Sequence, residues 1–599
     1  WLASESFVEN VSRNINASGQ LRWDTPIKGL SLTGKAGVTY WTKYDKTYRA
    51  ETYFDENKTV GPSTLNIWTS NNTNTILEAL VNYEKTFGSH DLKVLAGTSV
   101  EQTSNKGLEG YRNTFPNNAL YQLGAGDAST ATNSSSLEEY ALVSFFGRVN
   151  YAFKDKYLLE ANLRYDGSSR FAKDNRWGIF PSVSAGWRIS EENFWKNTRA
   201  GEVVNNLKLR ASYGVLGNQN IGVYPYQQTY DLDHNYPLGN PATLVPGTYV
   251  STYRNQDLTW EKTAITNVGL DFGLFNNTLN GSIEYFYKYT SDILAPVEKA
   301  GILGQNVSES NVGAVSNKGI EVNLSYNGRI GRDFQFSIAP NFTWVKNAVE
   351  ELANGATEEI NNNRIVGQPI GIIYGYQTEG LFVDQAEIDA APEQLVGKSD
   401  LKPGYIRYKD ISGPDGVTDG KVDAEYDRTV LGSTTPKIYY GLNLSASYKG
   451  FDFSALFQGL GGYQRQIGSY MAYAFYNGGQ IQRWQAENCW TKENPDKWAE
   501  YPRVETMNMN HPNLQTSDYW VRNASFLRLK NLQLGYTLPQ AWTKKIGIEK
   551  LRVYVSGQNL FSFNSFYQGW DPENEIGTGD SPSYYPITAI YSFGFNFKF

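Results

Sequence analysis

The chain has 599 residues, a net charge of −7 and an aromatic content of 14%. The negative charge gives no electrostatic basis for nucleic-acid binding, and the single Cys489 excludes an internal disulfide or a cysteine metal site. The three histidines lie far apart in sequence, which argues against a histidine-based catalytic or zinc centre. No apolar run approaches the roughly 20 residues of a membrane-spanning helix. A mean hydropathy of −0.49 is still compatible with a β-barrel, in which only alternate residues meet lipid.

Apolar and polar residues alternate along many segments of the chain. Residues 157–166 (YLLEANLRYD) place two tyrosines, two leucines and an alanine on one face, and residues 320–327 and 438–448 repeat the pattern. Side chains point alternately to the two faces of a strand, so each segment predicts a β-strand with one apolar and one polar face. In FLRLKNLQLGY the pattern changes phase between Leu529 and Leu532, which predicts a β-bulge.

The connections between these strands are alternately short and long. Short connections are found at 153–156, 275–281, 327–334 and 448–451, and long polar stretches at about 217–257, 292–316, 347–435, 465–524 and 563–584. Two connections of medium length, near 190–206 and 539–550, are exceptions, and SEENFW (190–195) is typical of a polar turn or a helical start. A soluble multi-sheet protein would also show alternating faces. Short turns opposite long loops, with strands of ~10 to 14 residues, favour an outer-membrane barrel instead.

The predicted strands number about 17, from a first strand near 13–25 to a last strand at 585–599. Bacterial single-chain barrels have even numbers of strands. If the short turns lie in the periplasm, the C-terminus lies there too and residue 1 falls in an external loop. We therefore expect the chain to be the C-terminal part of a longer polypeptide.

Several segments resemble the SusC-like TonB-dependent transporters of Bacteroidetes outer membranes. They follow the family order and cover most of the chain: 147–190, 207–226, 258–275, 311–327, 524–539, 551–561, 570–575 and 584–599. The resemblance implies an all-β fold, a transmembrane antiparallel β-barrel of about 22 strands filled by an N-terminal plug. Residues 1–599 would supply about 17 of these strands with long extracellular loops, while the plug and the first strands would lie outside this chain.

The resemblance further implies import of a bulky nutrient across the bacterial outer membrane, without enzymatic activity. A SusD-like lipoprotein would close over the external mouth, and TonB would act through the missing N-terminal region. Oligosaccharides are the predicted substrates and oligopeptides the alternative, because both kinds of importer share these wall motifs. The rival classes are a surface β-rich adhesin, against which the loop lengths and the terminal Phe599 argue, and a glycoside hydrolase.

The last strand carries aromatic residues at every second position. They are Tyr591, Phe593, Phe595, Phe597 and Phe599. An aromatic strand ending in Phe resembles the signal by which the barrel assembly machinery recognises outer-membrane barrels for insertion. The structural interpretation is a strand that faces membrane lipid with interfacial aromatics, and the same face can serve both roles.

Residues 409–428 are rich in aspartate. The acids are Asp410, Asp415, Asp419, Asp423 and Asp427. DGKVD resembles the centre of a calcium loop, in which alternate oxygens converge and glycine permits the tight turn, so we predict a calcium or magnesium site. SGPDGVT interrupts the pattern and the last acid comes one residue late, so a solvated acidic turn with Asx-turn chemistry is the alternative.

Carboxylates and aromatic residues occur together in residues 469–490 and in WDPENE (570–575). Glycoside hydrolysis needs two carboxyls at a fixed separation with matched pKa values, which proximity in sequence does not establish. We expect these segments to pack within loops, or to stack on and hydrogen-bond a transported glycan or peptide. The sequence does not single out individual ligand-binding residues.

Overall fold

Long antiparallel strands and their connections make up the chain in the computed structural model. The residues described are 5–55, 58–297, 302, 306–397, 400–507, 510–574 and 587–599. Parts of the predicted loops 292–316 and 563–584, and the start of the predicted last strand, lie outside them. Within these ranges every helix and strand belongs either to one large sheet, which we call the main sheet, or to a connection between its strands. No plug domain is found among the described residues.

Seventeen strands form the main sheet, in agreement with the predicted number. They are β1 (Phe7–Asp24), β2 (Leu30–Arg49), β3 (Thr64–Phe87), β4 (His90–Asn113), β5 (Thr132–Phe153), β6 (Tyr157–Ser168), β7 (Trp177–Arg188), β8 (Val204–Asn218), β9 (Glu261–Leu274), β10 (Leu279–Ser291), β11 (Ala314–Ile330), β12 (Phe334–Glu351), β13 (Ile438–Tyr448), β14 (Phe451–Gly461), β15 (Phe526–Thr537), β16 (Lys550–Asn564) and β17 (Ile590–Lys598). β1 begins before the predicted 13–25, because its pairing with β2 continues to Phe7 opposite Tyr48. Of the predicted last strand, residues 587–589 precede the regular strand, which begins at Ile590.

One compact unit consists of residues 1–187, 211–266 and 290–312. Its strands β1 to β7 each pair with the next in antiparallel register. β3 and β4 have 24 residues each, which exceeds the predicted strand length. They continue past the apolar part of the pattern because polar side chains extend the pairing, as where Asn74 Nδ2 donates to Glu101 Oε1 at 2.7 Å.

The other compact unit consists of residues 188–210, 267–289 and 313–599. Its strands β11 to β17 again each pair with the next in antiparallel register. The register shifts between Leu529 and Asn531, so Lys530 is paired with neither β14 nor β16. The predicted β-bulge is therefore confirmed.

The short connections are tight turns, as predicted, at 154–156, 275–278, 331–333 and 449–450. Gly450 has a φ of +89°, and a Cβ there would lie 2.8 Å from Thr537 O, so this turn requires glycine. The medium connections contain the short helices Asn193–Lys196, Arg199–Val203 and Gln540–Thr543 and the 3-10 turns Ile189–Glu191 and Lys544–Ile546. The helical start predicted at 190–195 is confirmed.

The long connections contain regular structure that the sequence did not predict. Their strands are Thr52–Asp55, Lys58–Val60, Thr229–Leu238, Thr243–Tyr253, Leu294–Ala295, Asn306–Val307, Ser310–Asn311, Glu358–Glu359, Arg364–Ile365, Ile372–Tyr376, Thr378–Leu381, Glu393–Gln394, Ile406–Tyr408, Lys421–Val422, Arg428–Ser433, Gln464–Gln466 and Val521–Asn523. Their helices and 3-10 turns are Leu123–Ala125, Ala128–Thr130, Ala353–Gly355, Ile360–Asn362, Gln385–Ala390, Ser469–Ala472, Tyr476–Gly478, Arg483–Glu487 and Pro512–Leu514. In the part of the chain that the structure describes, no helix combines the length and the apolar character needed to cross a membrane.

The apolar face of the main-sheet strands is the exposed face. On β6 the exposed large apolar side chains are Tyr157, Leu159, Leu163 and Tyr165, with exposed fractions of 40–52%. On its other face Asn162 donates to Glu160 Oε1 at 2.8 Å and accepts from Arg148 Nε at 2.7 Å. A water-soluble sheet would bury the apolar face and expose the polar one. This reversed arrangement is the one expected for a wall in contact with lipid.

Candidate functional site: the loop body and the terminal strand

Three long connections pack around one hydrophobic core. We call residues 372–433, 463–524 and 564–574 the loop body. Its buried core residues are Tyr376, Leu381, Val396, Ile406, Tyr408, Val422, Tyr463, Ile467, Met471, Ala472, Tyr473, Ala474, Tyr476, Trp490, Tyr501, Met507, Trp520, Ala524, Phe566 and Tyr567. Aromatic rings bury a large apolar area each, so the core orders connections that would otherwise be mobile loops.

Hydrogen bonds from the ring substituents link the parts of this core. The fully buried Trp520 donates its Nε1 to Asn513 O at 2.7 Å, and Tyr501 Oη accepts from Ala474 N at 2.7 Å. Burial raises the pKa of the Tyr463 hydroxyl to about 12 and raises that of Tyr501 as well. The buried hydroxyls therefore stay neutral and place no charge in the core.

The aromatic segment 469–490 contributes mainly to this core. Its buried members are Met471, Ala472, Tyr473, Ala474, Tyr476 and Trp490, while Tyr470 and Phe475 stay partly exposed. Tyr473 meets Trp520 edge to face, with ring centroids 5.3 Å apart. Of the two expectations for this segment, the structure shows packing within the loops.

The acids of WDPENE are held by two cations of strand β15. Arg528 Nη2 donates to Asp571 Oδ1 at 2.5 Å, and Lys530 Nζ lies 2.7 Å and 3.0 Å from the carboxylate oxygens of Glu573. Arg528 Nε also contacts Glu573 at ion-pair distance, although its N–H does not form a hydrogen bond there. The bulge at Lys530 thus serves to fasten the last long connection to the wall, and Glu575 lies outside the described residues.

Four of the five aspartates of 409–428 act as acceptors for backbone N–H groups. Asp427 is buried and accepts from Ile411 N at 2.7 Å, Ser412 N at 3.3 Å and Asp423 N at 2.8 Å. Asp423, Asp419 and Asp410 cap further turns of the same segment, and Asp415 is exposed. This is Asx-turn chemistry.

Metal binding by Asp410, Asp415, Asp419, Asp423 and Asp427 stays a prediction. Among the residues that the structure describes, no group of three or more His, Cys, Asp or Glu is arranged to hold a metal ion. Within the set of five, Asp410 Oδ1 is the buried oxygen without a hydrogen-bond partner.

A buried histidine ties two parts of the loop body together. His511 Nε2 lies 2.9 Å from Glu505 Oε1, and Nδ1 accepts from Asn513 N at 3.1 Å, so the neutral ring carries its proton on Nε2. Tyr405 also donates to Glu505. Burial alone would raise the pKa of Glu505, but the hydrogen bonds from Tyr405 and His511 and the charge of Lys402 lower it overall. The sequence showed only an isolated histidine, because these partners lie up to 100 residues apart.

The terminal aromatic stripe is exposed on strand β17. Tyr591, Phe593, Phe595, Phe597 and Phe599 have exposed fractions between 49% and 81%. Gly594, on the opposite face, gives room to the ring of Tyr554 on β16, which a Cβ would approach to 2.5 Å. The exposure is what a lipid-facing strand requires. Recognition of the stripe by the barrel assembly machinery stays a prediction.

Comparison with known proteins identifies related receptors. A family model described as TonB dependent receptor-like, beta-barrel matches residues 3–390. TonB-dependent receptor P3 of Formosa agariphila is 33% identical over 552 residues, which cover 88% of this chain and 52% of that receptor. TonB-dependent receptor SusC of Bacteroides thetaiotaomicron is 30% identical over 87% of this chain and 49% of its own length. The chain spans about half the length of the curated relatives it matches.

Solved structures give the same relationship. The RagAB peptide importer in its open-open state matches with a TM-score of 0.83 and 26% identity, over 100% of this chain and 62% of the other. The closed-closed state matches with a TM-score of 0.82. Since the family model covers more than half of its residues, the chain belongs to the TonB-dependent receptor-like β-barrel family, as a SusC-like member that lies in the bacterial outer membrane.

Proposed function

We propose that the chain forms the wall and outer loops of an importer that takes up bulky nutrients, in particular oligosaccharides, by a TonB-dependent mechanism. The two-faced wall carries this proposal. Its apolar face is exposed, as on β6, while its polar face holds hydrogen-bonded side chains such as Asn162 and Glu160. A wall of this kind separates lipid from a polar interior through which a hydrophilic nutrient can pass.

The partners of this importer are a SusD-like lipoprotein at the external side and TonB at the periplasmic side. We propose both partners for the complete receptor, since this chain spans only about half the length of its relatives. We place the plug and the TonB-contacting segment in sequence upstream of this chain. The seventeen strands of the main sheet, against about 22 in plugged transporters, support that placement.

Oligopeptides are the second candidate substrate. The observation in their favour is the match to RagAB, a peptide importer, at a TM-score of 0.83. The aromatic rings that favoured glycans in the sequence are largely packed in the core of the loop body. Glycan and peptide uptake therefore need a direct comparison.

The proposal assigns no enzymatic role to the chain. The carboxylates of Asp571 and Glu573, which made a glycoside hydrolase conceivable, are each ion-paired with a cation of β15. Both carboxylates are thus used in contacts that fasten the last long connection to the wall.

Uptake by whole cells tests the proposed function. The gene for the complete receptor is deleted in its bacterial host, and uptake of labelled oligosaccharides and labelled oligopeptides is measured with and without a protonophore. We expect deletion and the protonophore each to abolish uptake of one class, and removal of the SusD-like partner to reduce it. Reintroducing the intact gene is the control. Unchanged uptake of both classes after deletion would refute the proposal.

A further inference from the structure

Two arginines of the loop body lie directly opposite each other. In the small antiparallel sheet formed by Gln464–Gln466 and Val521–Asn523, Arg465 pairs with Arg522. Directly opposite residues of an antiparallel pair project to the same face, with Cβ atoms about 5 Å apart, and like charges in that position are destabilising. An anion that contacts both side chains would offset this repulsion.

The arginine pair is on the buried face of this sheet. The ladder continues on both sides, from Ile467 N to Trp520 O at 2.9 Å and from Ala524 N to Tyr463 O at 3.1 Å. These four flanking residues belong to the core of the loop body. Since side chains alternate along a strand, Arg465 and Arg522 share the face of these core residues. Each of the two arginines is itself half-buried.

The partners of both guanidinium groups are neutral. Arg465 Nη1 donates to Asn574 O, and Arg522 Nη1 donates to Tyr519 O and, at 3.2 Å, to Val521 O. Within the described ranges neither arginine forms an ion pair. The backbone carbonyls thus hold the two side chains in place without neutralising their charge.

The carboxylates around the pair are already used by other groups. Asp571 and Glu573 are paired with Arg528 and Lys530. Glu500 interacts with the charge of Arg522 only at long range and does not form an ion pair with it. Its carboxylate accepts a hydrogen bond from Asn488 Nδ2 at 3.1 Å instead. Among the described residues, the acids therefore leave the charge of the pair uncompensated.

Two partly buried guanidinium groups without a counter-charge among the described residues favour the binding of an anion. Burial lowers the pKa of Arg522, which shows that its charged form has lost part of its hydration. Arginine presents a rigid fork of donors that fits a carboxylate with two hydrogen bonds, and such bonds strengthen when water is excluded. The spare donors of Arg465 and Arg522 have no hydrogen-bond partner in the described part of the chain and are not sealed from solvent.

A cavity lies beside Asn574, the residue that holds the Arg465 side chain. Asn574, whose carbonyl oxygen binds Arg465, also lines a space of about 770 Å³ together with 564–571 and Ile587. Binding sites commonly combine a concave space of this size with a few charged groups. The cavity gives a ligand room next to the residue whose carbonyl oxygen accepts from Arg465.

We propose that Arg465 and Arg522 bind a carboxylate group of the transported ligand, an inference that rests on the proposed import function. The carboxylate can come from two sources, the C-terminus of an oligopeptide or a uronic acid of an oligosaccharide. Both present the same planar anion to the two guanidinium forks.

Binding to the purified complete receptor tests this assignment. The probes are trialanine and its C-terminal amide, and trigalacturonate and neutral maltotriose. We expect one acid to bind at least about tenfold more tightly than its neutral counterpart, and the preference to weaken as salt rises. The peptide arm and the sugar arm show which source the site takes.

Variants locate the effect. Arg465→Gln and Arg522→Gln are expected to weaken binding of the preferred acid by about 10- to 100-fold, the range for a lost hydrogen bond to a charged group. Arg483→Gln is the matched control, because Arg483 lies in the same loop body but is 89% exposed. If Arg522→Gln does not assemble, binding is measured on Arg465→Gln and on the charge-conserving Arg522→Lys. We expect Arg522→Lys to bind the acid more weakly than wild type, because lysine lacks the paired donors of a guanidinium group.

Three results would overturn the assignment. They are equal binding of acid and neutral probes, an equal loss in Arg483→Gln, or no binding of any of the four probes by the wild-type receptor. Each can occur while whole-cell uptake stays dependent on the receptor and on the proton gradient. Failure of this inference is thereby distinguished from failure of the proposed function.

Discussion

Replacing Arg528 with methionine is expected to release residues 564–574 from the wall strand β15. Methionine keeps most of the side-chain length and removes the charge that holds Asp571 and contacts Glu573. The matched variant Lys530→Met removes the neighbouring cation, which contacts Glu573 alone.

The burial of these side chains sets the size of the effect. Arg528 is 3% exposed and Asp571 and Glu573 are 19% and 17% exposed, so water screens the pairs weakly. Removing one partner of a buried ion pair costs about 3–5 kcal/mol, because the other charge remains buried. Lys530 still neutralises Glu573 in the variant, so only Asp571 is left unpaired and we expect about 3 kcal/mol, the lower end of that range. Lys530→Met leaves Arg528 on Glu573 and is expected to cost about 1 kcal/mol.

Hydrogen exchange of the backbone amides in 564–574 measures this local opening. Trp570 N donates to Tyr567 O at 3.0 Å and Glu573 N to Asp571 Oδ1 at 2.9 Å, so both amides report whether the segment is closed. A loss of about 3 kcal/mol raises their exchange about 100-fold. Combining Arg528→Met with Asp571→Asn should recover part of the protection, since the unpaired charge is gone. Unchanged exchange in Arg528→Met, or an equal rise in Lys530→Met, would refute the reasoning.

Three further predictions concern the terminal strand, the acidic segment and the histidine cluster. Deleting Phe599 is expected to lower the amount of assembled protein in outer-membrane fractions, whereas Lys598→Gln, which breaks a surface ion pair, should not; equal yields would contradict an insertion role. Asp427→Asn is expected to destabilise residues 409–428 by about 1.5–3 kcal/mol, because its carboxylate accepts backbone N–H groups, while the exposed Asp415→Asn should leave hydrogen exchange unchanged. Because the pKa of Glu505 is lowered in the folded state, its stabilisation is present above the ordinary value of 4.5 and is lost as the pH falls through the lower folded value. Exchange of the surrounding amides should therefore rise at that acid pH, and Glu505→Gln should remove this pH dependence.

The wall was predictable because its signals are local in sequence. Alternation over 157–166 identifies both faces of β6, and the phase change between Leu529 and Leu532 identifies the bulge at Lys530. The full length of β3 was not predictable, because cross-strand pairs such as Asn74 with Glu101 carry it past the apolar pattern. Alternating hydrophobicity marks where a strand meets lipid, and a strand can continue beyond that point.

The loop body was not predictable, because the contacts that define it join distant residues. Thr378 donates to Asp518 at 2.6 Å across 140 residues, and the partners Arg528 and Asp571 are 43 residues apart. A single sequence contains no periodic signal for such pairs. One usable signal was compositional: WDPENE contains three acids and FLRLKN contains two cations.

Aromatic residues meet two different environments in this chain, and the difference determines where ligand recognition can occur. On strand β17 the rings are exposed, as a lipid-facing wall requires, whereas in the loop body rings such as Trp520 and Tyr501 are fully buried. Rings packed in a core are not available for stacking on a sugar or a peptide. They do order the connections before any ligand arrives, which reduces the entropy lost on binding. If the loop body recognises the transported ligand, as we propose, the groups available to it are its exposed rings, such as Trp498, and the polar and charged groups that the core holds. Arg465 and Arg522 are the cationic pair that the core places without a counter-charge among the described residues.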